Sequence, residues 1–224
     1  MTERQDLLIK QLVEHYTLTA EPVASAYLSG KIKMSSATVR NDLVELEQNG
    51  FIEQPHTSSG RVPSLKGYRY YLQKHLKAIE PSKKIKIASA KAILQEQPVK
   101  SLAKTLAQQA NNAILVAFDE DHFYYTGFSY LFSHPEFIEK QLIINIAGVI
   151  DHLDQVMATI YQQASNDVSV LIGDENPISD DTVLIASKID HILLTILGPR
   201  RMNYNSNIGL LRHGAELLKN HKNA

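Results

Sequence analysis

From the first residues onward, apolar positions recur at helical spacing. Leu8, Leu12, Val13 and Tyr16 share one stripe of a helix running from Thr2 to about Ala20, with Thr2 placed to cap it ahead of Glu3 and Gln5. Glu21-Pro22 breaks this helix, and Pro22 suits the first turn of a second, short helix that ends near Leu28, before Ser29-Gly30. Lys31 to Met34 connects to Ser35-Ser36-Ala37-Thr38-Val39-Arg40-Asn41-Asp42-Leu43, where a third helix opens. Ser35 is its N-cap, Val39, Leu43 and Leu46 form its inner face, and Asn49-Gly50 supplies a left-handed stop. With Val39 pointing inward and about 100° per residue, Ala37, Asn41 and Gln48 point outward, with Thr38 and Arg40 on the flanks.

The period then shortens. Phe51 to Pro55 alternates as a strand, His56 to Gly60 is a loop, and Arg61-Val62-Pro63 is the returning strand. Ser64 caps a fourth helix bearing Tyr68, Tyr71, Leu72 and Leu76 at three- and four-residue steps. A helix, turn, helix and hairpin in this order predict a winged helix-turn-helix domain over residues 1–75. Residues 76–111 are rich in lysine and glutamine, helical in pattern and interrupted by Pro98, which predicts a helical linker. From residue 112 to 224 short apolar runs alternate with helical stretches. The strands expected are Ala113–Phe118, Leu142–Ala147, Val168–Ile172, Val183–Ala186 and Ile192–Leu197. The chain is therefore expected to be α+β.

Composition narrows the function. The 224 residues are 44% hydrophobic and 21% charged, enough for two small domains with cores of their own. No cationic leader precedes an apolar stretch, and no run approaches the roughly 18 apolar residues of a bilayer span, so a cytoplasmic protein without a membrane partner is expected. Without cysteine there is no disulfide, thiolate catalysis or cysteine-held metal.

The net charge of −1 conceals a local excess. Between Lys31 and Lys77 stand the bases Lys31, Lys33, Arg40, Arg61, Lys66, Arg69, Lys74 and Lys77, against the acids Asp42, Glu45, Glu47 and Glu53: eight against four. Nucleic-acid binding needs positive charge of this local kind. On the third helix, Arg40 can pair with guanine acceptors and Asn41 with adenine, Thr38 or Ala37 can touch a thymine methyl, and Ser35 or Ser36 can hold a phosphate at the positive helix end. Arg61, with His56, Thr57 and Ser58 at the loop tip, can reach a phosphate or the minor groove, while Lys66 and Arg69 add to the positive field.

These stretches resemble one family, the heat-inducible transcription repressors of the HrcA type. The resemblance is carried by Thr2-Glu3-Arg4-Gln5, Glu21-Pro22-Val23, Ser35 to Asn41, the run Gln54-Pro55-His56-Thr57-Ser58-Ser59-Gly60-Arg61-Val62-Pro63, and Lys66-Gly67-Tyr68-Arg69-Tyr70-Tyr71. It resumes more weakly at Phe128–Phe137, Ile172–Pro177 and Leu197–Tyr204, which look like the closing parts of the family's GAF-like domain, although Arg200 stands where the family usually has a smaller hydroxylated residue. Typical members are longer, and the shortening falls between Asn112 and Phe128. The resemblance implies a truncated GAF-like α/β domain over 112–224 that lacks most of an inserted dimerisation domain. It also implies a homodimer on an inverted-repeat operator in double-stranded DNA upstream of chaperone operons, with the chaperonin sustaining repression.

Other chemistry is weakly supported. Asp119-Glu120-Asp121-His122 could attract a cation but reads better as a hairpin tip, and Asp151, His152 and Asp154 suit the start of a helix. Gly198-Pro199-Arg200-Arg201 could form an anion or ligand site in a sensor domain but reads better as a strand-to-helix connection, Gly198 and Pro199 in a turn and the arginines exposed. No histidine spacing or glycine-rich loop points to a metal or nucleotide, so neither an enzyme nor a cofactor is expected. A ligand-responsive regulator and a winged-helix module that docks protein remain as alternatives.

Overall fold

A computed structural model describes residues 1–56, 59–119, 121–138, 140–165 and 167–222, without the side chains of 140–142 and 222. It divides into two compact units, Met1–Leu76 and Lys77–Ala224.

The first unit consists of α1 (Glu3–Thr19), α2 (Ser25–Ile32), α3 (Ser36–Gln48), the strands β1 (Ile52–Glu53) and β2 (Val62–Pro63), and α4 (Leu65–His75). Each long helix begins where its cap residue stands. The Thr2 hydroxyl accepts from the Gln5 amide while the Gln5 side chain accepts from the Thr2 amide, and Ser35 and Ser64 accept from the amides of Thr38 and Gly67. Leu8, Ile9, Leu12 and Val13 of α1, Leu28 of α2, and Val39, Leu43 and Leu46 of α3 are buried together with Ile52, Tyr68 and Tyr71. Strand β1 pairs antiparallel with β2, Ile52 opposite Pro63.

Two close approaches fix the hairpin. A Cβ on Gly67 would stand 2.1 Å from the Phe51 carbonyl oxygen, so only glycine lets α4 lie this close to the start of β1. Arg61 exchanges both backbone hydrogen bonds with Val23, at 2.8 and 2.9 Å, tying the hairpin to the segment before α2.

The second unit is a five-stranded antiparallel sheet between helical layers. Its strands are β3 (Ala113–Ala117), β4 (Phe123–Thr126), β5 (Ser169–Ile172), β6 (Thr182–Ile189) and β7 (Ile192–Pro199), in the order β4-β3-β7-β6-β5. Its helices are α5 (Lys83–Ala92), α6 (Pro98–Ala110), α7 (Phe128–Leu131), α8 (Lys140–Ile150), α9 (Leu153–Gln163) and α10 (Tyr204–Lys222). Ala113, Leu115, Ala117, Leu184, Leu193 and Leu197 face a core completed by Leu131, Phe137, Ile146, Leu153, Met157 and Ile160. Alternate residues of the same strands point to the opposite face, where Leu194 of β7 and Leu106 of α6 both approach Gly214 of α10. β3, β6 and β7 are thus covered on both faces, which is why they read as continuous apolar runs.

Several sequence expectations are revised. Residues 76–111 carry two helices that cluster with the second unit, and Leu102, Ala103 and Leu106 of α6 are fully buried, so this stretch supplies a structural layer. Pro98 opens α6 in its first turn, where no intrahelical amide bond is lost. Leu142–Ala147, expected as a strand, lies inside α8: Ile146 is buried while Ile144 is 50% exposed, a helical separation that a short apolar run does not disclose. β4 was not anticipated. Gly198 and Pro199, expected in a turn, close β7 opposite Val183 and Thr182, where a Cβ on Gly198 would stand 2.4 Å from the Asn112 side-chain oxygen.

Candidate nucleic-acid interface

Helix α3 displays the residues that sequence reasoning placed on its outer side. Ser36, Ala37, Arg40 and Asn41 are exposed and Thr38 is half-buried. Ser35 is exposed, but its hydroxyl caps the helix and lies 2.8 Å from that of Thr38. Of these residues Arg40 lines a groove of about 410 Å³, with Ala24 and Ser25 at the start of α2, Val44 of α3, and Ser59, Gly60 and Arg61 of the hairpin. Val44, 46% exposed, was missed. The helical rotation that placed Asn41 outward also carries Val44 about 140° from Val39, so the signal was present.

The acids of α3 are each held by a donor of the same unit. Arg4 binds the buried Asp42 through both carboxylate oxygens, which raises the arginine's own pKa by hydrogen bonding and then by charge. The Gln5 side-chain amide donates to Glu45 at 2.7 Å. Arg61 donates to one oxygen of Glu47 from Nε at 3.0 Å, with Nη2 2.9 Å from the same oxygen. The side chains of Arg40 and Asn41 make no hydrogen bond or ion pair among the described residues.

His56 is exposed, its amide donating to the Ser59 hydroxyl and its carbonyl accepting from the Ser59 amide and hydroxyl. Thr57 and Ser58 lie outside the described residues. Arg61 is only 18% exposed and is paired: Glu47, fourteen residues upstream, meets it in space. Lys66 is exposed, but its ammonium donates to the Asn49 carbonyl at 2.8 Å and stands 4.5 Å from the centre of the Phe51 ring. Arg69 is half-buried on α4 and has an interaction partner.

Away from the groove, α4 is fastened to α1 through Asp6, which accepts from Tyr70 at 2.7 Å and lies 2.8 Å from His75 Nε2. Burial pushes the Asp6 carboxyl up, but these hydrogen bonds outweigh it and leave the group below the usual aspartate range. The same burial, with Asp6 alongside, pushes the Tyr70 hydroxyl up to about 12.

In the second unit Asp119 accepts from the amides of Asp121 and His122 between β3 and β4, and these backbone bonds with the His122 ring hold its carboxyl low. Glu120 lies outside the described residues. Arg200 pairs with Asp181 at 2.8 Å and Arg201 with Glu136, so neither offers an unpaired charge to an anion. Asp154 stands in the first turn of α9, and His152 precedes the helix without a side-chain capping bond. Among the described residues, no group of three or more histidines and acids is placed to hold a metal, and no single helix is long and apolar enough to cross a membrane.

The two units define an α+β chain in which an exposed, cation-bearing helix lies beside a short hairpin in the first, and helices cover both faces of an antiparallel sheet in the second. This chain belongs to the HrcA family: the family model described as the HrcA protein C terminal domain matches residues 9–208. The heat-inducible transcription repressor HrcA of Brevibacillus brevis is 36% identical over 163 residues, covering 70% of this chain and 46% of that one. The same-named repressor of Lactobacillus delbrueckii subsp. bulgaricus is 51% identical over 74 residues, 32% of this chain and 21% of its own. The chain thus matches less than half the length of these relatives. A crystal structure of a hypothetical protein shares the fold with a TM-score of 0.80 at 16% identity, covering 99% of this chain and 98% of its own.

Proposed function

We propose that the chain is a sequence-specific transcription repressor that binds, as a homodimer, an inverted-repeat operator of heat-shock genes. In this reading residues 1–75 form a winged helix-turn-helix, α3 is the recognition helix, and residues 112–224 are a shortened GAF-like domain to which the helices of 76–111 are added. Relatives named as heat-inducible repressors support it. The observation that carries it is the outer face of α3, where Arg40 and Asn41 stand exposed with no partner of their own among the described residues, beside the hairpin loop.

A helix of this width fits the major groove, and its first turns then meet base edges. Arg40 reads guanine, Asn41 reads adenine, and Ala37, Thr38 and Val44 offer methyl groups to thymine. The amides at the N-terminus of α3, with the Ser36 hydroxyl, receive a phosphate. Two-fold symmetric operators take one recognition helix per half-site, which is the reason to expect a dimer. The chaperonin, as the partner that sustains repression, and the cytoplasm, as the location, follow from the same reading, as does the lack of enzymatic activity.

The test is an anisotropy titration of the purified chain against a duplex carrying the inverted repeat of a chaperone-operon promoter, a half-site and a scrambled duplex. Selective binding to the full repeat is expected. Replacing Arg40 with alanine should then weaken it by about 1–3 kcal/mol and relax preference at one base position. Equal affinity of the unaltered chain for operator and scrambled duplex would sink the reading.

A further inference from the structure

The DNA-reading surface contains an acid, Glu47, on the same helix as Arg40, and the residue that neutralises it is the hairpin's own arginine. We propose that Arg61 is a positioning residue of this surface and not a phosphate contact: clamped on Glu47, it holds the root of the hairpin against Val23 and so sets the loop beside Arg40. The inference rests on the DNA-binding reading and refines it.

Four observations converge on this role. Nε and Nη2 of the guanidinium both approach one oxygen of Glu47, at 3.0 and 2.9 Å. The two side chains are 18% and 34% exposed, so the pair is partly withdrawn from water and its attraction is less screened than that of a surface pair. The backbone of Arg61 makes both bridging hydrogen bonds with Val23, which fixes the stem of the side chain as firmly as its tip. The preceding Gly60 lies so close that a Cβ there would stand 2.5 Å from the Val23 carbonyl carbon and oxygen.

Charge argues in the same direction. If Arg61 turned outward to a phosphate, it would leave the Glu47 carboxylate unpaired next to the anionic backbone. That exchange gives up one ion pair and creates a repulsion. By staying on Glu47, Arg61 cancels the acid that would otherwise oppose DNA, and Ser59 and Gly60 remain at the rim of the groove shared with Arg40 and Val44.

The experiment combines two measurements on the full chain and on the variants Glu47→Gln, Arg61→Gln and the double variant. Amide hydrogen exchange reads the latch without DNA: the Val23 and Arg61 amides should exchange about tenfold faster in either single variant and no faster still in the double, since the pair acts as a unit. Unchanged protection of these amides in Glu47→Gln would overturn the proposal. Salt-dependent titration against the inverted-repeat duplex reads the contact: both single variants should weaken binding, Arg61→Gln the more because it alone leaves the Glu47 carboxylate unpaired beside DNA, and neither should lower the slope of log affinity against log salt by a full contact. A slope lowered by about one in Arg61→Gln, with Glu47→Gln binding as well as the unaltered chain or better, would make Arg61 a phosphate contact. Gly60→Ala is the charge-neutral control and should weaken binding at an unaltered slope. If the unaltered chain fails to prefer the operator, the repressor reading falls, while the exchange data still decide the latch.

Discussion

Individual side chains here matter through the company they keep. His213 on α10 lies half-buried, and burial, followed by the charge of Lys86, lowers its pKa from the ordinary 6.5, against weaker upward pulls from Glu216 and Glu80. Between its folded and unfolded values the unfolded chain therefore holds more protons, so stability rises with pH there. This contribution is complete above about pH 6.5 and is lost as the pH falls toward the lowered folded value. The urea midpoint should drop between about pH 7.5 and pH 5.5, and His213→Gln should flatten that drop. An identical pH response in the variant would refute the assignment. Asp6 titrates in the same sense at lower pH: its carboxyl is held down by Tyr70 and His75 against burial, so its contribution disappears under acid as the pH falls through its folded value.

Elements were legible to the degree that their signals were local. The caps Thr2, Ser35 and Ser64 stood in the sequence where helices begin, and the outward rotation of Asn41, with Arg40 on the flank, followed from Val39 alone. The pairing of Arg61 with Glu47 and of Arg4 with Asp42 could not be read, because each joins residues that meet only after folding. α8 was mistaken for a strand because an apolar run has no period until something covers one side of it. α6 was mistaken for a linker because its lysines and glutamines mask the inner stripe of Leu102, Ala103, Leu106 and Ala107. Two substitutions test these element contacts. Leu106→Ala removes a fully buried side chain from the layer beneath β7 and should cost about 2–5 kcal/mol in a denaturant melt. Gly67→Ala would force α4 away from the Phe51 carbonyl, with an expected loss of about 1–3 kcal/mol. A variant Gly67→Ala as stable as the unaltered chain would mean that α4 and β1 can separate freely.

Under the proposed function, two copies must together bring two recognition helices to one operator, although the chain matches less than half the length of the HrcA relatives. Sedimentation equilibrium at micromolar concentration is expected to give twice the chain mass, and the same mass ratio with operator bound. A single-chain mass under both conditions would leave the inverted repeat without a symmetric reader.

The order of the sheet bears on time as well as on form. β3 must find β7, placing Leu115 opposite Thr195, whose hydroxyl donates to the Leu115 carbonyl across 80 residues of chain. The first unit also closes long loops, Asp6 of α1 meeting Tyr70 and His75 of α4, but its described sheet is a hairpin of two neighbouring short strands. Closing long loops before any contact rewards them slows folding. After a thermal excursion the N-terminal unit should therefore regain its structure before the sheet does, and stopped-flow refolding should show a fast helical phase followed by a slower one that Leu194→Ala retards. If the proposed function holds and the sheet is what joins two copies, a heated population would recover its folded N-terminal units first and its grip on DNA only later, so that the return of repression would be timed by β-strand pairing.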